Sequence, residues 1–228
     1  MADSLILWDI DGTLVNMDRA GERALLLAIK ELYARDLGAN LPVDLRGRTD
    51  TSIAGDLLAF LNVAATPEER KKFQRGYLDR LPVTLPAGKA RVLLGIHDAL
   101  EAIHAHPEIH QALLTGNLEA GAKLKLEFLD LWKYFEFGAF ADDSHLRDEL
   151  GPFALARARE KLGITFPPER VWIIGDTPHD IACGKAIGAK TIAVATGAFS
   201  VEELSALNPT HTFADLADTQ ALLDVVMR

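Results

Sequence analysis

Cysteine is almost absent. Cys183 stands alone among 228 residues, so no intrachain disulfide can form, which fits a reducing compartment. Long apolar runs are missing too. None approaches the roughly 20 residues that a helix needs to cross a bilayer. The opening Met-Ala-Asp-Ser carries no basic segment followed by an apolar stretch, so a secretory signal is not expected. Positive charge is in deficit. Lys plus Arg number 24 against 33 Asp plus Glu, a net charge of −9, and an acidic surface repels nucleic-acid phosphates at long range. Low-complexity runs and internal repeats are missing as well. Hydrophobic residues make up 49% of the chain and charged ones 25%, which excludes general disorder and allows one or two domains with a real core. These absences together lead to the expectation of a soluble, cytoplasmic protein with no nucleic-acid or membrane partner.

What is present alternates. Leu5–Ile10 is a short apolar run ending in Asp-Gly and reads as a buried strand. From Asp18 to about Gly38 the apolar residues Ala20, Ala24, Leu25, Ala28, Ile29 and Leu32 recur at helical spacing. Ser52–Leu61 and Pro67–Leu81 read as two more helices, the second opened by Thr66 as a cap and Pro67 at the first helical position. Leu81-Pro-Val-Thr-Leu-Pro-Ala-Gly then breaks the helical pattern and reads as a linker. Beyond it, strands at His110–Thr115, Phe137–Ala141, Arg170–Gly175 and Lys190–Val194 alternate with helices at Gly95–Ala105, Glu119–Leu129, Gly151–Leu162, Asp180–Ile187 and Val201–Ala206, and a last helix closes the chain. Such alternation predicts an α/β fold, a parallel sheet covered by helices on both faces. Leu5–Ile10 must join that sheet to be buried, so residues 17–85 form a helical insertion between 1–16 and 86–228.

Ligands of open parallel sheets bind beyond the carboxyl ends of the strands. The residues expected there are Asp9 and Asp11, then Thr115, Gly116 and Asn117, then Asp176 and Asp180. The strand near Phe137 is followed by Asp142, Asp143 and Arg147. Four carboxylates and a hydroxyl gathered at one edge repel one another unless a cation compensates. Oxygen ligands without nearby His or Cys point to Mg²⁺ rather than Zn²⁺. In a strict strand Asp9 and Asp11 share one face, and Asp176 and Asp180 lie one helical turn apart. A carboxylate-held cation beside a hydroxyl and turn amides suits phosphoryl transfer, with one carboxylate as nucleophile and another as acid and base. The partner so implied is a small phosphorylated metabolite, which needs local cations against the acidic field.

These residues carry a resemblance. Asp9-Ile-Asp11-Gly-Thr-Leu-Val resembles the first signature of the haloacid dehalogenase-like (HAD) hydrolase superfamily. Thr115-Gly116-Asn117 resembles its second signature, and Gly175-Asp176-Thr-Pro-His-Asp180 its fourth. The helical insertion after the first resembles the cap of the phosphoglycolate phosphatase-like branch. The resemblance implies a Rossmann-like HAD core with an inserted α-helical cap. It implies a Mg²⁺-dependent phosphatase acting through an aspartyl-phosphate on Asp9. Asp9 would be nucleophile and metal ligand. Asp11 would be the acid/base, with its backbone carbonyl on the metal. Thr115 and the Gly116 amide would hold the phosphoryl group beside Asn117, Asp176 would bind the metal, and Asp180 would reach it through water or orient a cation. The third signature of the family is usually a lysine. Here Leu146-Arg147-Asp-Glu-Leu-Gly-Pro stands in its place, which makes Arg147 the phosphate-binding substitute, with Lys123 and Lys125 as fallback.

Other features have plainer readings. His104, His106 and His110 belong to a solvated helix end or loop, His179 to the surface near the site, and Cys183 to buried packing. Arg46-Gly-Arg48-Thr49-Asp50 reads as a loop between helices. In a cap loop, Arg48 would meet a substrate carboxylate or second phosphate. A sugar-phosphate mutase uses the same two aspartates and is the alternative. A haloacid dehalogenase normally lacks the second one, and a phosphonate-cleaving enzyme needs a Schiff-base lysine in the cap. A non-catalytic phosphometabolite-binding protein would be expected to have lost one of Asp9, Asp11 or Asp176.

Overall fold

The computed structural model describes residues 3–227. Its centre is a six-stranded parallel sheet. The strands are β1 (Ser4–Trp8), β4 (Ile109–Leu114), β5 (Gly138–Ala139), β6 (Val171–Gly175), β7 (Lys190–Val194) and β8 (His211–Phe213). They lie in the order β5-β4-β1-β6-β7-β8, and the register sets Trp8 beside Leu113 and Ile174. β1 therefore sits in the middle, where the chain order changes direction. The edge strand expected over Phe137–Ala141 contracts to the two residues that pair with β4.

The strand sequences are apolar throughout because both faces are covered. Ile6 and Trp8 join one buried cluster, while Leu5 and Leu7 join another on the opposite face. Helices α4 (Ile96–His104) and α9 (Thr219–Val226) belong to the first face, with Leu100, Ile103 and Leu222 buried. Helices α6 (Leu150–Leu162) and α7 (Pro178–Ala186) belong to the second, with Leu150, Ala154 and Cys183 buried. Helix α5 (Glu119–Phe128) follows β4, and the short α8 (Val201–Ser205) follows β7. No helix among the described residues is long and apolar enough to cross a membrane.

Between β1 and α4 the chain makes three helices: α1 (Ala20–Tyr33), α2 (Asp50–Phe60) and α3 (Pro67–Thr84). The stripe in α1 buries Ala20, Ala24, Leu25, Ala28 and Ile29. Thr49 and Thr66 cap α2 and α3 by accepting from the amides of Ser52 and Glu69, as side-chain oxygens at these positions do. The three helices are framed by a two-stranded antiparallel pair, β2 (Val15–Asn16) with β3 (Arg91–Val92). The chain thus leaves and re-enters the sheet layer at one place.

The expected linker at Leu81 is partly helix instead. α3 runs through Pro82 to Thr84. A proline there removes one backbone hydrogen bond and strains the turn before it, typically about 3 kcal/mol. Burial of Leu81 and Leu85 on either side, together with the Leu85 amide bonded to the Leu81 carbonyl at 2.9 Å, keeps the turn. The ring of Phe73 is fully buried where α3 meets α1. Phe73→Ala should lower unfolding free energy by about 3–5 kcal/mol, measured by urea titration, and a loss below 1 kcal/mol would contradict the packing described.

Candidate active site

Three strand ends converge. β1 delivers Asp9, β4 delivers Thr115 and β6 delivers Asp176, all buried. Asp180 follows in the first turn of α7, where its Oδ2 accepts from the Thr177 amide at 3.0 Å and the Thr177 hydroxyl at 2.7 Å. The carboxylates of Asp9, Asp176 and Asp180 each offer an oxygen, all within 4.8 Å of one another. Arg147 enters from the short turn Arg147–Glu149 ahead of α6. Its Nη2 donates to Asp9 Oδ1 at 2.8 Å, to Asp180 Oδ1 at 2.5 Å and to the Leu114 carbonyl at 3.2 Å.

Three buried carboxylates against one guanidinium leave negative charge over. Burial pushes the Asp9 carboxyl up to about 6, Arg147 opposing and Asp180 adding to the rise. Asp176 is pushed up to about 9, first by burial and then by Asp9 and Asp180. Its protein donor is the Thr13 hydroxyl, 3.2 Å from Oδ1. Burial works against the charge on Arg147, but Asp9 and Asp180 hold it firmly protonated. The cluster can hold a divalent cation, and its all-oxygen donor set suits a hard one.

Two glycines make the close packing possible. Gly12 has a φ of +89°, and a Cβ there would lie 2.4 Å from Asp176 Oδ2. A Cβ on Gly116 would lie 2.1 Å from the Arg48 carbonyl oxygen and 2.9 Å from Arg147 Nη1. Gly116 is thus where the loop before α2 rests on the loop after β4. The Asp50 amide donates to the Gly116 carbonyl at 2.7 Å, Asp50 Oδ2 accepts from the Leu118 amide at 2.8 Å, and the Thr49 hydroxyl donates to the His145 carbonyl at 2.7 Å.

Asp11 goes elsewhere than strand alternation predicts. β1 ends at Trp8, and the chain turns over Ile10–Gly12 with the Val15 amide bonded back to the Ile10 carbonyl at 3.0 Å. The half-exposed Asp11 carboxylate therefore lies outside the group of three. Its Oδ2 accepts from Asn117 Nδ2 at 2.9 Å and from Lys125 Nζ at 2.5 Å. Lys125 is buried and also donates to Asn117 Oδ1 at 2.5 Å, while Asn117 Nδ2 reaches Thr115 Oγ1 at 2.9 Å. Asp9, Asp11, Asp176, Arg147 and Lys125 all line one cavity of about 460 Å³ between the strand ends and the helices.

Comparison with known proteins finds similarity of sequence and fold. The HAD-hydrolase-like family model matches residues 149–219. A probable phosphatase, IndB, of Dickeya dadantii is 27% identical over 213 residues, 90% of this chain and 86% of that one. A phosphoglycolate phosphatase of Aquifex aeolicus is 26% identical over 224 residues, 96% of each chain. A hydrolase from Pseudomonas syringae superposes with a TM-score of 0.73 at 18% identity, covering 98% of this chain and 99% of that one, a likeness of fold. The chain is similar to the HAD-like hydrolases, over residues 149–219 in the family model and over nearly its whole length in these relatives. The HAD-like core is the parallel sheet with its flanking helices.

Several site residues expected from the sequence thus meet: Asp9, Asp176, Asp180 and Arg147 in one group, Asp11, Thr115 and Asn117 in an adjoining one. Asp142 and Asp143 do other work. Asp142 accepts from the Glu119 amide at 2.7 Å and Asp143 pairs with Arg157 at 2.5 Å. Arg48 lines the cavity, but its Nη2 is held by Ser52 Oγ at 2.6 Å and Asp56 Oδ2 at 2.7 Å. Lys125 had a reason to be noticed only as a phosphate ligand, and it binds Asp11 instead. Thr13, inside the first signature, and Asp50, whose carboxyl burial raises to about 6, carried no readable signal as site residues.

The raised carboxyls give stability a pH dependence. A group whose pKa is higher folded than unfolded stabilises fully below its unfolded value, about 4 for Asp, and stops doing so as pH rises through the folded value. In EDTA the melting temperature should therefore fall between about pH 4 and pH 9, with Asp9 contributing up to about 6 and Asp176 up to about 9. Divalent cation should reverse the fall, and Asp176→Asn should flatten most of it. A melting temperature level across that range in EDTA would contradict the uncompensated cluster.

Proposed function

We propose that this hydrolase is a Mg²⁺-dependent phosphatase of small phosphomonoesters, working through an aspartyl-phosphate on Asp9. The observation that carries the reading is the pairing of two carboxylates across one cavity. Asp9 has Oδ1 anchored by Arg147, and its Oδ2 accepts no hydrogen bond among the described residues. Asp11 stands opposite, gripped through Oδ2 by Asn117 and Lys125. The names of the curated relatives support a phosphate-ester substrate.

Asp9, Asp176 and the Asp11 backbone carbonyl would hold the cation, with Asp180 holding Arg147 in place. The residues fit such an ion, since Asp176 is a buried carboxylate whose one side-chain donor among the described residues is the Thr13 hydroxyl. When bound, it would neutralise charge on the phosphoryl oxygens. Asp9 Oδ2 attacks phosphorus, the ester P–O bond breaks, and the leaving oxygen takes a proton from Asp11. Asp11 then removes a proton from water, the water oxygen attacks phosphorus, and the Asp9–phosphate bond breaks to release phosphate and free Asp9. Thr115 and the Gly116 amide hold the phosphoryl oxygens, and the Arg147 guanidinium adds positive charge beside them. Its Nε is buried with no protein partner, as expected of a donor kept for a ligand. Residues 17–85 act as the cap over the core formed by 1–16 and 86–228, excluding water while the ester is bound.

Lys125 has a positioning role in this scheme. With both clamp bonds on Asp11 Oδ2, Oδ1 is the oxygen left for proton exchange. Lys125→Met should lower kcat/KM for an alkyl phosphate by about 10²-fold, the scale of lost acid catalysis. It should affect p-nitrophenyl phosphate far less, because a phenolate leaves without a proton. Equal losses on both esters would assign Lys125 a purely structural part. Asp9→Asn should abolish phosphate release from either ester with the fold intact by circular dichroism, and turnover near the wild-type rate would rule out the covalent route.

A further inference from the structure

The charges around the cavity, taken with the phosphatase reading on which this rests, point to the kind of alcohol that leaves. Outside the Arg147 cluster the cavity is lined by four cations, Arg19, Arg46, Arg48 and Lys125. Each already faces a carboxylate of its own chain. Arg19 grips Glu22 with two bonds of 2.6 and 2.8 Å and also reaches Asn40 Oδ1 at 2.8 Å. Arg46 holds Asp44 at 2.8 and 2.9 Å, with its guanidinium carbon 5.6 Å from the centre of the Phe199 ring. Arg48 holds Asp56 at 2.7 Å, and Lys125 holds Asp11 at 2.5 Å.

Two carboxylates on the same wall are in the opposite condition. Asp18 accepts from the Lys89 amide at 2.9 Å and Asp50 from the Leu118 amide at 2.8 Å. Neither is in an ion pair among the described residues. Asp50 feels the charge of Lys125 without forming an ion pair, so this part of the cavity has paired cations and two carboxylates outside any ion pair among the described residues. Exposed ion pairs are weak, so a substrate anion can displace Asp44 or Asp56. The displaced carboxylate stays on its own chain near the arginine, and the local net charge is unchanged. A second negative group on the substrate gains nothing there and meets Asp18 and Asp50.

We infer that the preferred substrate is the phosphate monoester of a neutral polyhydroxy alcohol or a cationic amino alcohol, and that esters carrying a second anion, such as a carboxylate or another phosphate, are disfavoured. Hydroxyl and ammonium groups donate hydrogen bonds, which Asp18 and Asp50 can accept. The inference departs from the substrate in the name of the Aquifex aeolicus relative.

The test compares two esters that differ at one carbon, 2-hydroxyethyl phosphate and 2-phosphoglycolate, with p-nitrophenyl phosphate as control and saturating Mg²⁺. The neutral ester should have the higher kcat/KM by about tenfold or more, the scale of one misplaced charge contact. If neither alkyl ester turns over, their inhibition constants against the aryl ester decide in the same way. Asp56→Asn, which frees Arg48 and touches no reacting group, should raise kcat/KM for phosphoglycolate about threefold or more and leave hydroxyethyl phosphate unchanged. Phosphoglycolate equal to or better than the neutral ester in the wild type would overturn the inference and leave the phosphatase reading standing. Absence of phosphate release from the aryl ester by folded, Mg²⁺-loaded protein would instead overturn both.

Discussion

A single guanidinium nitrogen, Nη2 of Arg147, holds together residues that are far apart in the chain. It bonds Asp9 at the end of the first strand, the Leu114 carbonyl at the end of β4 and Asp180 at the start of α7. In water such contacts would be worth little. Here they are buried, and breaking one by deleting a partner leaves a desolvated charge, which typically costs 3–5 kcal/mol. The same contacts fix where the strand ends stand relative to one another. Asp180 adds rigidity by bracing Thr177 with its other oxygen, so Arg147 is gripped by a side chain that is itself fixed.

The cluster is deliberately unbalanced. One guanidinium cannot neutralise three carboxylates, and the excess falls on Asp176, wedged against Gly12 and Gly197 where no side chain fits. Structural ion pairs tend toward balance, whereas functional sites keep strained electrostatics that a ligand relieves. The Asp11–Lys125–Asn117 group beside it is balanced, one charge against one, and more open to the cavity. Two carboxylates of the same short motif therefore sit in different electrostatic settings, a difference that the proposed attack by Asp9 and proton transfer by Asp11 would use.

Much of this was legible in the sequence, for identifiable reasons. The sheet could be read because its strands are buried on both faces and so are apolar without interruption, and the strand-end rule then collected Asp9, Thr115, Asp176 and Arg147. What stayed hidden depended on geometry that spacing does not encode. Period-two alternation fails for Asp11 because the strand stops one residue before Asp9. Pro82 reads as a breaker, yet tertiary burial of Leu81 and Leu85 overrides it. Lys125 lies eight residues beyond Asn117 on a helix, with nothing local to say that it points inward. Arg48 was readable as a cation over the cavity, but its partner Asp56 became visible only when α2 had turned.

The short antiparallel pair of Val15–Asn16 with Arg91–Val92 has a consequence for how such a molecule can vary. Neighbouring strands run less than about 5 Å apart, so the two ends of the helical excursion are already side by side. The sheet therefore sees the whole excursion as if it were a tight turn, and its length is almost free of entropic penalty. Changes in the size or sequence of that excursion can alter what reaches Asp9 without disturbing the strands that present it. Under the proposed function, ligand choice and chemistry would fall to separate stretches of one polypeptide.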